Sequence, residues 1–151
     1  MIRHATIADA SRIAEILIFT KRMNYRKIFQ NDKVSFGEKQ VYPLAKNYID
    51  NPEELDGIWV YDDEFVKGVM HHNGKQIVEL YVDSFFENQG IGSKLIKYAI
   101  EQLDCDFLWV LEKNTKAIRF YQRHGFAITE EKQYEEGTTE YIVKMRRYIP
   151  I

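Results

Sequence analysis

The sequence predicts a mixed α/β fold, in which a mostly antiparallel central sheet contains one parallel pair of strands in its middle and is flanked by helices. Strand-like segments at 57–61, 65–71 and 76–83 follow one another across short turns, as antiparallel strands do. After Gly90 helical and strand-like patterns alternate, which is typical of parallel strands joined by a helix. Two further strand-like segments end the chain and predict a closing antiparallel pair.

Length and composition predict one domain over residues 1–151. The chain has 21 Lys and Arg, 23 Asp and Glu, a net charge of −2 and one cysteine, Cys105. A chain of this size buries about 68–70% of its unfolded surface and needs no disulfide or structural metal. The balanced charge argues against a nucleic-acid partner. Without an apolar run of about 18 residues or a secretory signal, we expect a cytoplasmic protein with no membrane partner.

The first elements are a short strand at residues 2–5 and a helix that follows it. Thr6 and Asp9 have the spacing of a capping box, which marks a helix start. A basic and aromatic segment at 21–27 continues this helix, and we expect it to contribute to an acceptor pocket. The apolar residues that recur at helical intervals are Ile7, Ala10, Ile13, Ala14, Leu17 and Ile18.

A second helix is predicted between Ser35, with Glu38 three residues later, and the stop at Pro52. Pro43 within it predicts either a kink or a later start. The three antiparallel strands come next, with a solvated acidic turn at 62–64 between the first two and a second turn at residues 73 and 74.

The most informative segment, residues 78–95, is a strand, a turn with two glycines and an amphipathic helix. Such a turn brings backbone amides and a helix N-terminus close to an anion, so the expected ligand is a phosphate or pyrophosphate. Two common phosphate loops are excluded. Gly92 is followed by Ser93 and only then Lys94, unlike a P-loop, and position 95 is Leu95, where the dinucleotide loop has a third glycine.

The following segments complete the predicted sheet. The apolar run at 107–111 is typical of a strand covered on both sides. Asn114 is placed to cap a helix that Gly125 ends. The closing strands are predicted at 126–134 and 138–148.

Two segments together resemble the GNAT superfamily of acetyl-CoA-dependent N-acetyltransferases. The family's loop pattern is Arg or Gln, two residues, Gly, any residue, Gly or Ala, and here Gly90 and Gly92 fit while Glu87 departs from it. The neighbouring Gln89 is placed to compensate. The family's later pattern is fitted by Asn114, Ala117, Phe120, Tyr121, Gly125 and Phe126.

The resemblance implies acetyl-CoA as a co-substrate, no metal, and direct attack of an amine in a ternary complex. It implies that the backbone of Tyr81 and Val82 aligns the acetyl and pantetheine groups, that Asn114 bonds the cofactor arm, and that Ala117 and Phe120 leave room for it. The amides implied to hold the pyrophosphate are those of Asn88, Gln89, Gly90, Ile91, Gly92 and Ser93.

Two residues are candidates for the proton transfers. The resemblance implies that Tyr121 gives its phenolic proton to the departing thiolate as a general acid. Glu79 is the candidate base, directly or through a water, since an amine with a reference pKa near 10.4 must lose a proton before it attacks. Strand alternation predicts that Glu79 shares a face with Ile77, Tyr81 and Asp83.

Other reactive residue types have structural interpretations. His71 and His72 face opposite sides of a strand, which argues against a shared metal. His124 is interpreted as a residue favoured by the dipole at a helix C-terminus. Cys105 is interpreted as a small buried residue. Lys94 and Lys97 fit either a solvated helix face or an approach to the cofactor's phosphates.

The sequence thus predicts an N-acetyltransferase that acts on a primary amine, in a small molecule or a peptide. The alternative from another class is a non-catalytic module that binds acyl-CoA as a sensor or regulatory subunit. A third interpretation is an acyltransferase for a longer acyl group or an oxygen acceptor. The aromatic residues of the last strands would suit a homodimer.

Overall fold

The structure, a computed structural model, describes residues 1–30 and 40–148 of the chain. Short 3-10 helices lie at Ile7–Asp9, Pro52–Leu55 and Ser84–Phe86. The α-helices of the described residues are α1 (Ala10–Phe29), α2 (Val41–Asp50), α3 (Ile91–Glu101) and α4 (Thr115–Arg123). The strands are β1 (Ile2–His4), β2 (Ile58–Asp63), β3 (Phe65–Asn73), β4 (Gln76–Val82), β5 (Phe107–Leu111), β6 (Phe126–Tyr134) and β7 (Tyr141–Arg147).

These strands form one sheet in the order β1-β2-β3-β4-β5-β7-β6. Only β4 and β5 pair in parallel among them, and every other neighbouring pair is antiparallel. The predicted fold class is therefore confirmed, including the parallel pair in the middle. The closing antiparallel pair is also confirmed, and β7 inserts between β5 and β6.

Helices cover the two faces of the sheet at different strands. One core joins α1 and α2 to β2 and β3, with Ile13, Leu17 and Val69 fully enclosed. The other core joins α3 and α4 to β3, β4, β5 and β7, with Leu95 and Met145 at its centre. The apolar periodicity of the helices produces this arrangement, since each helix buries one apolar face.

The chain ahead of α1 is held by the predicted capping box. The amide of Thr6 donates to Asp9 Oδ2 at 2.8 Å, and Arg3 binds both oxygens of the same carboxylate. The hydrogen bond from Arg3 is the main reason that the pKa of Asp9 lies below its usual value.

Helix α2 begins at Val41, with Gln40 in an extended conformation at its N-cap. Pro43 therefore lies in the first turn, where proline is tolerated, and this position supports the later start over the kink. Ser35 and Glu38 lie outside the described residues.

The acidic turn between β2 and β3 is shorter than predicted. Asp62 and Asp63 belong to β2, and only Glu64, with a φ of +68°, connects the strands. Arg3 donates to Asp62 Oδ2 at 3.1 Å, so Asp62 is partly shielded from solvent. Asp63 pairs with Lys67 at 3.2 Å but is 59% exposed, and Glu64 is exposed as well, as a solvated turn predicts.

Strand β5 also departs from its prediction, because a helical layer covers only one of its faces. Leu108 and Val110 are buried in the core with α3 and α4. On the opposite face Phe107 and Trp109 are half-buried, and Lys144 of β7 lies over both rings. A long cationic side chain can cover an aromatic face through its aliphatic stem and its charge, so an apolar run does not require two helical layers.

A bulge in β4 reverses one predicted side-chain direction. His71 pairs with Glu79, but the next residue, His72, pairs with Ile77, so Val78 is an extra residue in β4. Ile77 packs into the core under α3, whereas Tyr81 packs against the core under α1. The prediction that Glu79 shares a face with Ile77 was wrong, because the bulge interrupts the two-residue alternation.

Candidate active site

A gap opens between the two parallel strands. Pairing between β4 and β5 is limited to Gln76 with Phe107 and Ile77 with Leu108, while β4 continues to Val82. From residue 78 onward the β5-facing edge of β4 therefore has no strand beside it. An extended ligand can hydrogen-bond to such an edge as an added strand would, which is the role predicted for the backbone of Tyr81 and Val82.

The glycine turn stands at the end of β4, where this open edge ends. Asn88 and Gly90 have positive φ values of 64° and 81°, and Gly90 is the N-cap of α3. The amide of Lys94 donates to the carbonyl of Gly90 in the first turn of α3. The amides that come before Lys94 in this turn therefore have no acceptor within the helix. These amides and the positive end of the helix dipole can bind an anion.

The two motif segments of the sequence are in contact at the start of α3. A Cβ atom at Gly92 would lie 3.3 Å from Cε2 of Phe120 on α4, which is tighter than ordinary packing. One helical position further, Ser93 Oγ and His124 Nε2 are 3.2 Å apart. The second glycine therefore allows α3 and α4 to approach closely, which brings the turn next to the residues of the Asn114–Phe126 segment.

Two polar side chains beside the turn, those of Glu87 and Asn114, have protein partners. Glu87 Oε2 lies 3.3 Å from Lys116 Nζ, so its charge is balanced from α4. Asn114 caps α4 by accepting a hydrogen bond from the amide of Ala117 at 3.3 Å. Its side-chain amide nitrogen donates to no other described residue. Gln89 is exposed in the turn.

Tyr121 is buried in the core under α3 and α4, with only 8% of its surface exposed. Its ring packs edge-on against Phe120 and Phe126. Burial and, second, the charge of Glu79 raise the pKa of Tyr121 above its ordinary value of 10. The phenol therefore keeps its proton at neutral pH, and its hydroxyl has no hydrogen-bond partner within residues 1–30 and 40–148.

Glu79 faces α1, where Lys21 Nζ lies 2.6 Å from its Oε1. Both side chains are 18% exposed. One helical turn along α1, the hydroxyl of Tyr25 is hydrogen-bonded to that of Tyr81. Burial, followed by the charges of its neighbours, raises the pKa of Tyr81 well above 10, and Tyr121 is among these neighbours. The charge of Glu79 thus raises the pKa of both Tyr81 and Tyr121.

A cleft of about 470 Å³ opens on the same side of the sheet. Glu79 and its cross-strand partner His71 contribute to its floor, and Tyr48 of α2 contributes to its wall. Burial raises the pKa of Tyr48 to about 12. The remaining residues around the cleft are Leu44, Glu53, Glu54, Asp56, Ile58 and Val78.

The sequence pattern pointed to only some of these residues. Lys21 and Tyr25 belong to the basic and aromatic segment expected near an acceptor pocket, and the structure brings both onto β4. Tyr48 lies within the predicted second helix, but nothing in the local pattern shows that this helix lies opposite β4. The pairing of His71 with Glu79 depends on the strand register, which the sequence does not show.

The remaining candidates have structural roles. His72 contacts the carbonyl oxygen of Gly74 through Nδ1, away from the cleft. Burial, followed by Arg123 and Lys97, lowers the pKa of His124, which opposes the predicted interaction of a charged ring with the helix dipole. Burial raises the pKa of Cys105 to about 11.

Lys94 lies 3.4 Å from the hydroxyl of Tyr61 on β2. Across the described ranges no three His, Cys, Asp or Glu side chains are grouped as metal ligands would be. In the same residues no helix has both the length and the apolar character that crossing a bilayer requires.

Comparison with known proteins adds independent evidence to this geometry. Residues 22–126, which include the gap, the turn and Tyr121, match the sequence profile described as the acetyltransferase (GNAT) family. The chain belongs to this family. Its predicted resemblance to GNAT proteins is therefore confirmed.

This GNAT protein is similar to the peptidyl-lysine N-acetyltransferase YjaB of Salmonella typhimurium, at 29% identity over 85 residues, or 56% of this chain and 59% of that protein. The solution structure of apo YjaB from Escherichia coli has a TM-score of 0.70 at 19% identity, covering 97% of this chain and 95% of that one. The PaiA N-acetyltransferase of Thermoplasma acidophilum, in complex with coenzyme A, has a TM-score of 0.57 at 18% identity, with 98% of both chains covered. Both of these structures share the fold of this chain.

Proposed function

We propose that this GNAT protein transfers the acetyl group of acetyl-CoA to a primary amine by direct attack in a ternary complex. The observation that carries the proposal is the gap between β4 and β5, which has the glycine turn at one end. Tyr121 lies in the same core as Ile77 and Leu108, the residues at which the gap begins. A relative of the same fold in complex with coenzyme A supports this assignment.

The residues present fit an acyl-CoA. The open edge of β4 at Tyr81 and Val82 offers backbone groups to the amides of pantetheine. The free amides around Gly90 and the N-terminus of α3 suit the pyrophosphate, which needs no basic surface when backbone donors surround it. Asn114 supplies a side-chain amide to the arm of the cofactor, and Phe120 packs beside it.

Tyr121 is the proposed general acid. A thiolate leaving group has a reference pKa near 8.5, while the pKa of Tyr121 is raised above 10, so the phenol remains protonated until charge develops on the sulfur. General acid catalysis of this kind contributes about 10²–10⁴-fold to a rate. The hydroxyl has no partner among the described residues, so it is available to the sulfur.

The acceptor amine is proposed to enter through the 470 Å³ cleft. The carboxylates of Glu53, Glu54 and Asp56 surround it and favour a cationic molecule. A small-molecule amine and a peptide amine both satisfy this charge, and the similarity to a peptidyl-lysine N-acetyltransferase supports the second. Two groups in the cleft can accept a proton from the amine, Glu79 and His71.

A second candidate function is an acyl-CoA-binding sensor without catalysis. The ion pair between Lys21 and Glu79 favours it, because Lys21 Nζ occupies the carboxylate oxygen that an acceptor amine would have to approach. The gap and the turn would then bind acyl-CoA, and the cleft would admit no reacting amine.

A thiol-release assay with acetyl-CoA and a broad panel of amines separates the two functions. We expect turnover with at least one amine, and we expect Tyr121→Phe to lose about 100-fold in kcat while calorimetry shows unchanged binding of coenzyme A. Tyr98→Phe is the matched control, because Tyr98 packs against Trp59 as a partly buried residue at the same core that contains Tyr121. Tight binding of coenzyme A without turnover of any amine would favour the sensor, and an unchanged rate in Tyr121→Phe would remove the proposed acid.

A further inference from the structure

His71 lies in the acceptor cleft as the cross-strand partner of Glu79. The bulge at Val78 turns Glu79 toward α1 and onto the same face as His71. Within the described part of the chain no hydrogen-bond donor or acceptor contacts the ring of His71, whereas the ring of His72 is engaged by the carbonyl of Gly74. His71 therefore has a free ring in a cleft of a size that admits an amine.

Glu79 differs from His71 in having a strong partner. Its Oε1 lies 2.6 Å from Lys21 Nζ, and each side chain is 18% exposed, so the ion pair is largely shielded from water. Protonation of Glu79 would weaken this charge-assisted contact and leave the ammonium of Lys21 without its partner. Oε1 of Glu79 is thus already occupied by Lys21, whereas the ring of His71 has no hydrogen-bond partner among the described residues.

We propose that His71, and not Glu79, is the base that removes the proton from the acceptor amine. This inference rests on the acetyltransferase function proposed above. Glu79 then stays paired with Lys21, and the carboxylates of Glu53, Glu54 and Asp56 supply the negative charge that holds the amine in the cleft.

The electrostatic surroundings of His71 suit this role. Burial lowers its pKa below the ordinary value of 6.5; the charge of Glu79 opposes this effect, and His72 and Lys21 add to it. A neutral imidazole is thus present at neutral pH, with a lone pair for the proton. The charged and titratable groups around it are Glu79 from β4, Lys21 from α1, Tyr48 from α2, His72 from β3 and the cleft residues Glu53, Glu54 and Asp56.

The proton balance of the reaction is complete with these groups. The acceptor ammonium gives one proton to His71, which releases it to solvent. The nitrogen lone pair then forms a bond to the thioester carbonyl carbon while the carbon–sulfur bond breaks, and Tyr121 protonates the thiolate. The second nitrogen proton leaves to solvent and Tyr121 regains one, so each ammonium that is acetylated releases one proton in total.

The test measures kcat against pH from 5 to 9 with two probe acceptors, Nα-acetyl-lysine amide and a tetrapeptide with a free α-amine. We expect the wild-type kcat to fall on the acidic side, with a midpoint at or below about pH 6.5. His71→Gln should lose about 100-fold in kcat with the lysine probe and should also lose this acidic limb. The loss should be smaller with the α-amine, whose reference pKa of about 7.7–8.0 leaves more neutral amine.

His72→Gln is the matched control and should stay within about twofold of the wild type, because its ring lies outside the cleft. Binding of coenzyme A and thermal unfolding verify that His71→Gln is folded, and His71→Asn replaces it if it is not. A wild-type profile without an acidic limb, an unchanged kcat in the His71 variants, or a limb that Glu79→Gln removes and His71→Gln retains would each overturn the inference. If the wild type acetylates neither probe nor any amine of the broad panel, the proposed function fails, and the inference fails with it.

Discussion

Gly92 of α3 and Phe120 of α4 are so close that a Cβ atom at Gly92 would lie 3.3 Å from Cε2 of the ring. This contact joins the glycine turn to the segment that carries Tyr121. The second glycine of the turn is therefore required for packing between helices, in addition to any role it has toward a phosphate. Gly90 has a different requirement, because open space surrounds its missing Cβ but its φ is +81°.

Gly90→Ala should weaken coenzyme A binding about tenfold and lower the free energy of unfolding by about 1 kcal/mol, since an L-residue is strained in the left-handed region. Gly74→Ala is the control, because Gly74 also has open space and a positive φ but lies in the turn between β3 and β4. Gly74→Ala should lower the free energy of unfolding by a similar amount and leave the affinity for coenzyme A unchanged. Equal affinity in the two variants, measured by calorimetry, would contradict a role of the turn in binding.

Glu87→Arg restores the residue type that the family pattern has before the turn and should tighten coenzyme A binding about three- to tenfold. The change removes a negative charge and adds a positive one beside the expected pyrophosphate. Lys116, which now pairs with Glu87, is exposed and free to turn into solvent. Glu101→Arg, at the opposite end of α3, makes the same change in net charge and should not alter the affinity. The gain in affinity for coenzyme A should be smaller at high salt, because salt screens the added charge.

The Lys21 and Glu79 ion pair should show a coupling of about 1–2 kcal/mol in a double-mutant cycle of Lys21→Met and Glu79→Gln, followed by urea unfolding. Lys46 and Asp50 form a control pair of nearly the same length, 2.7 Å, but with both side chains more than half exposed. Their coupling should be much smaller. Equal couplings would mean that the shielding of the Lys21 pair has no energetic consequence.

Stability should fall as the pH rises above about 10. The pKa of Tyr48 is raised to about 12 in the folded protein, so between pH 10 and 12 the unfolded chain binds fewer protons than the folded one and unfolding becomes more favourable. Tyr48→Phe should make this decline shallower when the free energy of unfolding is measured by urea denaturation at each pH. Tyr42→Phe, on the same helix but 75% exposed, should leave the slope unchanged; a slope that both variants alter equally would argue against this origin.

The sequence by itself determined the elements and the family. Two-residue and helical periodicities are local, so they predict β4, the glycine turn, α3 and α4 before any contact is known. The caps at Thr6 and Asn114 are equally local, because the donor and acceptor lie three residues apart. The spacing of Gly90, Gly92 and the residues from Asn114 onward was enough to indicate a GNAT protein.

Only the tertiary structure decided which side chains share the site. The bulge at Val78 changed the face on which Glu79 lies relative to Ile77, and strand register then placed His71 beside it. The contact between Lys21 and Glu79 joins residues 58 positions apart, and no local pattern encodes it. Periodicity predicts that a residue is buried, but the partner it meets depends on the packing of helices and strands that are distant in the sequence.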